Sequence, residues 1–137
     1  MSETNRGGFN ELTLNGLRIV AGFLFMQHGA QKLFGWLDGN AVESWMSQRG
    51  VAGILEFFGG ILMTVGLFTR PLAVLLSGEM AVAYFLRHFP RGFWPITNGG
   101  ELAAFYCFTW LFFFMNGGGS FSLDAWLSSR KDGAPID

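Results

Sequence analysis

Charge is what this sequence has least of. Only 14% of its 137 residues are Asp, Glu, Lys or Arg, against roughly 25% in an ordinary soluble domain. The few charges nearly cancel, to a net of -1 at pH 7 with no run of Lys or Arg. That excludes a surface able to neutralise phosphates, and with it a nucleic-acid binder. There is one Cys, so an internal disulfide, a CxxC redox pair and a cysteine-based zinc or iron–sulfur site are excluded. The two histidines, His28 and His88, come with no C-x-x-C-H signature, so no covalent haem is expected. The glycine-rich strings (GFLFMQHG, NGG, GGGS) follow no strand pattern and lack a downstream Lys-Ser/Thr, so they are not phosphate loops. No Ser/His/Asp set, metal-ligand cluster, internal repeat or low-complexity tract is present.

What the sequence has in abundance is apolar surface. Half its residues are hydrophobic, 17% are aromatic including 16 Phe, and the mean hydropathy is +0.34, which excludes a disordered chain. The apolar residues fall into four stretches, Asn15–Phe34, Val51–Thr69, Pro71–Phe89 and Gly100–Asn116. As helices these span roughly 25–30 Å each, near the thickness of a bilayer's hydrocarbon layer. Six charges lie inside them: Arg18, Lys32, Glu56, Glu79, Arg87 and Glu101. A soluble bundle would show a polar face on every turn, whereas GGILMTVGLF and AAFYCFTWLFFFM are apolar all round. The pattern predicts an all-α, integral membrane four-helix bundle whose direct partner is the lipid bilayer.

Punctuation agrees with that division. Gly35–Trp36 closes the first stretch, Thr69–Arg70–Pro71 reads as a tight turn, Pro90 and Pro95 bracket the third loop, and Gly117–Gly119 ends the fourth helix. Ala41–Gly50 and Ser122–Ser129 each set Trp beside polar groups and read as short interfacial helices. Residues 1–10 and 131–137 are expected to be flexible ends around a transmembrane domain over 11–130. The first apolar run holds His28 and Lys32 and lacks a cleavage site, so it reads as a span and not as a signal peptide. Four spans place both termini and Arg70 on one side, with Arg6, Arg18, Arg130 and Lys131; the other side holds Lys32, Arg49, Arg87 and Arg91. The slight excess places both termini in the cytoplasm of a bacterium, with the protein in its plasma (inner) membrane.

Comparing depths locates a candidate site. Counting inward from the far side at about 1.5 Å per residue, Lys32 lies roughly 3 Å deep, His28 and Glu56 roughly 8–9 Å, and Glu79 roughly 15 Å. Arg87, His88 and Glu101 lie within about 3 Å of that edge. All four helices therefore send ionisable groups into the same half, and Arg18 alone belongs to the other half, where it is expected to snorkel. His28 and Lys32 share a face with Phe25 one turn below; Gly53, Glu56, Gly60 and Thr64 form one stripe, and Glu79, Ala83 and Arg87 another. Asn98 and Glu101 have capping-box spacing. His28, Glu56 and Glu79 are the candidate catalytic groups, with Lys32, Arg87, Glu101 and Phe25 as ligand contacts and no metal. Each also has a structural reading: ion pairing for Glu56 and Glu79, capping for Glu101, snorkelling for Lys32 and Arg87, core packing for His28. Cys107, in mid-helix, is expected to be inert packing.

These blocks resemble a known family. LRIVAGFLFMQHGAQKLFG is similar to the DoxX pattern of Arg, a Gly-containing apolar run, His-Gly and Lys-Leu-Phe. LEFFGGILMTVGLFTRPLA resembles its Glu-x-x-Gly-Gly block, and NGGELAAFYCFTWLFFFMNGGGSFSLD its Asn-Gly-Gly-Glu block with a Gly-rich turn and Ser-Leu-Asp. The resemblance spans roughly residues 12–127 and marks Arg18, His28, Gly29, Lys32, Glu56, Gly59, Gly60, Arg70, Asn98, Glu101 and Asp124 as signature positions. It implies a small four-helix membrane protein, some relatives resembling the quinone-side subunit of a thiosulfate:quinone oxidoreductase. The expectation is therefore an oxidoreductase subunit that binds a quinone near His28 and Glu56. Lys32 balances charge, Glu79 is a proton relay or charge partner, and a soluble or membrane redox partner subunit, or a reductant directly, supplies electrons. Further copies of the chain are a second expected partner. Two alternatives stand beside it: a non-enzymatic membrane scaffold of a redox-stress complex, and a small-solute or proton pathway.

Overall fold

The computed structural model describes residues 3–133, and over these it is all-helical with no strand. Helix α1 (Glu3–Phe34) is followed by α2 (Gln48–Val65) and α3 (Thr69–Ala83). Beyond α3 the chain passes into a π-helical turn, Tyr84–His88, and a 3-10 turn, Phe89–Arg91. After these come the short α4 (Pro95–Asn98), then α5 (Glu101–Asn116) and α6 (Leu123–Asp132). The four expected apolar stretches are α1, α2, α3 with its π turn, and α5. By length and composition, only Thr69–Arg91 among the described residues qualifies as a membrane span, with mean hydropathy 1.3; α5 is apolar but shorter. Residues 3–10 of the expected flexible end continue α1, and α6 runs to Asp132; residues 1–2 and 134–137 lie outside the described residues.

The helices associate as two pairs, α1 with α2 and α3 with α5, and the pairs touch each other less than their members do. Small residues make the first pair close. A Cβ on Gly22 would sit 2.7 Å from Thr64 N, and one on Gly60 would sit 2.7 Å from Gly22 O. The α2 stripe expected from spacing faces α1, with Gly53, Glu56 and Gly60 all buried. Between the pairs lies an apolar core of Phe25, Met63, Leu76, Trp110 and Phe113, each at most 1% exposed. Phe25 packs edge-on against Trp110 (centroids 5.1 Å apart), and Trp110 stacks on Tyr106 (5.7 Å). The outer face of α5 carries Phe105 and Phe108, 67% and 72% exposed.

Several boundaries differ from the sequence reading. Helix α2 stops at Val65 because Gly66 turns left-handed (φ 73) and donates its N–H to Leu62 O and Met63 O. The tight turn is thus Gly66–Phe68, and Pro71 falls inside the first turn of α3, where its missing N–H has no intrahelical partner to lose. The expected helix over Ala41–Gly50 is not formed as such: residues 41–47 are non-helical, and Gln48–Gly50 begin α2. Residues 35–47 fold back on α1: Val42 N–H donates to Lys32 O at 2.8 Å, and Trp36 and Trp45 pack on Phe34. The capping box at Asn98 is not formed either. Asn98 Oδ1 accepts from Gly100 N–H at 2.8 Å, Gly100 caps α5, and Glu101 is exposed.

The largest correction concerns Arg18, which does not snorkel. It is 0% exposed. Its guanidinium donates from Nε to Gly118 O (2.7 Å), from Nη1 to Met63 O (2.7 Å) and Thr64 O, and from Nη2 to Phe121 O (2.6 Å). These acceptors are last-turn carbonyls of α2 and carbonyls of the 117–122 turn, groups short of helical donors; Met63 O also accepts from Gly66 N–H, at 3.2 Å. Next to this clamp, the Asp124 carboxylate of α6 accepts from Phe68 N–H and Thr69 N–H, both at 2.8 Å. It caps α3 from across the chain and holds Phe68 in a left-handed conformation (φ 53) that a bulky residue rarely adopts. Glu11 adds a tie at the exposed end of the clamp, accepting from Ser120 N–H at 2.9 Å.

Two predictions follow from these contacts. Arg18→Met takes the side-chain donor from the Gly118, Thr64 and Phe121 carbonyls, of which the Gly118 bond is fully buried, and lowers unfolding stability by about 3 kcal/mol, read as denaturation in detergent. Arg18→Lys recovers little, since one ammonium cannot reproduce the guanidinium fork; a wild-type unfolding midpoint in either variant would refute the clamp. The Ser120 N–H holds the exposed Glu11 carboxyl below its ordinary value of about 4.5. Its contribution is therefore complete above that value and lost as pH falls through the lowered one. Glu11→Gln should abolish that part of the acid sensitivity, checked by unfolding between pH 3 and 6.

Candidate functional site

The half of the bundle away from Arg18 is where the helix pairs part. Two cavities open there, on either side of a shared partition made by Lys32, Glu56, Ala83 and His88. The larger, 590 Å³, lies between α2 and α3 and includes Glu79, Arg87, Arg49 and Arg91 in its lining. The smaller, 230 Å³, lies between α1, α3 and α5 and is lined by Phe25, His28, Met80 and Tyr106, among others.

The partition is built around an ion pair. Lys32 Nζ donates to both carboxylate oxygens of Glu56. It is the only ion pair within 4 Å among the described residues. Helical spacing explains its position. Lys32 lies one turn beyond His28 on α1, and Gly53 lets the Lys32 stem approach: a Cβ there would sit 3.0 Å from Lys32 Cβ. Glu56 is 3% exposed and Lys32 26%, so the carboxylate is held in the bundle and the ammonium reaches toward the cavities.

Glu79 is different. Both its carboxyl oxygens are buried, and neither has a hydrogen-bond partner. They face the larger cavity from α3, with Ala83 and Arg87 on the same face as the i, i+4, i+8 spacing requires. The π turn then carries Arg87 and His88 to the rim; such turns recur where a helix must re-aim side chains. Arg87 Nη2 lies 3.4 Å from Gln48 Oε1 across the gap, and His88 Nδ1 lies 3.3 Å from Asn98 O.

Of the residues expected at one pocket, the structure brings Lys32, Glu56, Glu79 and Arg87 to the larger cavity and Phe25, His28, Lys32 and Glu56 to the smaller. His28 and Glu79 lie on opposite sides of the partition. Glu101 lines neither cavity: α5 starts with it pointing outward, so it is corrected out of the site. Among the described residues no His/Cys/Asp/Glu group could hold a metal. Sequence reasoning placed His88 at that edge without naming it a site residue, and missed Tyr106 and the rim arginines Arg49 and Arg91. Arg49 and Arg91 lie at or beyond the ends of the apolar stretches and so escaped a depth count made inside them. Tyr106 sat in a run that read as uniformly apolar.

The DoxX family profile matches residues 13–89. An uncharacterized protein of Haemophilus influenzae is 45% identical over 114 residues, which is 79% of this chain and 85% of the relative. No solved structure matches the chain.

The Lys32–Glu56 pair generates a double-mutant prediction. Removing either partner alone (Lys32→Met or Glu56→Gln) strands a buried polar group and costs about 3 kcal/mol. The double variant regains most of that loss. Additive losses in detergent unfolding would show that the two residues are not coupled.

Proposed function

Because the chain belongs to the DoxX family, we propose that it is a membrane oxidoreductase subunit that binds a quinone, or a similar lipid-soluble redox molecule, in the larger cavity. The observation that carries this reading is the unpartnered Glu79 carboxyl. Removing such a group from water without a partner costs free energy, and the cost is offset when the carboxyl shares a proton with a ligand oxygen. A quinone carbonyl fits that need. The apolar walls at Val51, Leu55 and Val82 suit its ring and tail.

Quinone reduction takes up two electrons and two protons at two carbonyl oxygens. In this reading Glu79 hydrogen-bonds one oxygen and donates its proton there, and water entering by the cavity mouth supplies the proton at the other oxygen and reprotonates Glu79. Lys32 and Glu56 face the head from the partition, Lys32 balancing charge. His28 contributes from the other side, through Glu56. Electrons come from a redox partner subunit or a soluble reductant.

The same proposal places four helices across the bacterial plasma membrane with both termini in the cytoplasm. Support comes from a family that is typically membrane-associated, from the apolar Thr69–Arg91 segment and from the outward aromatic face of α5, where Phe105 and Phe108 are exposed. A scaffold reading draws on one observation, the Lys32–Glu56 pair, which satisfies itself without a ligand. A through-pathway finds no support in the half filled by Phe25, Trp110 and Phe113.

Binding separates these readings. A short-chain benzoquinone should raise the unfolding midpoint of the detergent-solubilised protein. Glu79→Leu should weaken its binding about tenfold, the worth of one such hydrogen bond, while leaving the fold intact. If no quinone analogue stabilises the protein, or if Glu79→Leu binds as well as wild type, the scaffold reading replaces this one.

A further inference from the structure

The rim of the larger cavity carries more positive charge than its interior uses. Arg49, at the start of α2, Arg87, in the π turn, and Arg91, in the 3-10 turn, all line this one cavity. No carboxylate lies within 4 Å of any of them among the described residues. Two have only neutral partners: Arg49 Nη2 donates to Asn40 O at 3.2 Å, and Arg87 Nη2 to Gln48 Oε1 at 3.4 Å. The cavity's one internal ammonium, Lys32, is already committed to Glu56. Three guanidiniums from three segments thus converge on a single mouth with their charge unspent.

Inside that mouth the chemistry changes at once. Val51, Ala52 and Leu55 on α2 face Val82 and Ala83 on α3, an apolar cleft where the two helix pairs part. A cationic collar on an apolar slot is complementary to an anionic amphiphile: a phosphate at the collar and a hydrocarbon chain in the slot. The collar lies at the ends of α2 and of the α3 π turn, the level at which a bilayer's phosphates sit if the helices cross it.

We infer that the mouth of the larger cavity binds the phosphate of an acidic phospholipid, with one acyl chain following the cleft between α2 and α3. The inference rests on the membrane placement proposed above but not on the identity of the redox ligand. The phosphate sits at the rim and Glu79 lies deeper; the apolar cleft between them is common to the acyl chain and the proposed quinone, so the two ligands exclude each other there.

Native mass spectrometry of the full chain in detergent, with phosphatidylglycerol or phosphatidylcholine added, tests it. Wild type should retain phosphatidylglycerol in preference to phosphatidylcholine. Arg49→Gln and Arg91→Gln should each reduce that preference about five-fold, with lipid-free unfolding midpoints little changed, since both residues are exposed and in no ion pair. Ala52→Trp should block retention by filling the slot. The pair Arg130→Gln/Lys131→Gln, at the other end of the molecule, should keep the preference. Equal loss in that control would mean that general surface charge, and not this site, selects the lipid, and would overturn the inference. Inorganic phosphate alone should not shift the unfolding midpoint; if it stabilises as much as phosphatidylglycerol, the site takes a soluble anion and the lipid assignment falls. Short-chain quinone binding, measured in lipid-free detergent on the same variants, keeps the two proposals apart. In wild type, quinone binding with no preference for phosphatidylglycerol overturns only this one, and a phosphatidylglycerol preference with no quinone binding overturns only the redox reading.

Discussion

Everything else in the structure depends on one buried guanidinium. Arg18 satisfies carbonyls from the end of α2 and from the turn after α5, so one side chain fixes α1 against both helix pairs. Its charge is fully removed from water, which is tolerable only because its donors meet oxygens that the helices leave unpaired. Asp124 complements it by capping α3 from α6. Together they close one end of the bundle with hydrogen bonds and leave the apolar core to fill the middle.

That closure explains why the opposite end can be open. With the pairs fastened at Arg18 and packed through Phe25, Trp110 and Phe113, they need not touch along their whole length. They splay, and the space becomes two cavities separated by the Lys32–Glu56 pair. The close approach of α1 and α2 at Gly22 and Gly60 keeps that pair of helices rigid, so Lys32 and Glu56 meet in fixed geometry. The π turn at Tyr84–His88 loosens the other wall and turns Arg87 and His88 to the rim. One half of the molecule is thus specified by satisfied polar groups, and the other retains groups with unused bonding capacity: the Glu79 carboxyl and the rim arginines.

Much of this was legible in the sequence because helical periodicity is a local property. The stripe Gly53–Glu56–Gly60, the face Glu79–Ala83–Arg87 and the Phe25–His28–Lys32 ladder are all where spacing put them, and depth counting brought their charged members to the same end. What could not be read were interactions set by distant chain. Arg18 looked like a snorkelling residue because its acceptors are backbone carbonyls, which carry no sequence signal. Asp124 stood out only as part of a motif, with nothing local to show that it caps a helix fifty-six positions earlier. Asn98 and Glu101 have the right letters for a capping box, but Gly100 takes the cap and Asn98 turns to the preceding loop, bonding Gly92 O at 2.9 Å. His28 and Glu79 were counted to one pocket, since a depth along a helix does not say which side of a neighbouring ion pair a residue faces.

The reach of the Arg18 contacts also sets an order of assembly. Gly118 and Phe121 lie 100 and 103 positions beyond the residue they serve, so a ribosome makes the first helix long before these two acceptors exist. Met63 O and Thr64 O come much sooner, with α2. The guanidinium can therefore tie α1 to α2 early, but its bonds to Gly118 O and Phe121 O wait until the turn after α5 is made. The clamp is complete only when the end of the chain closes on it.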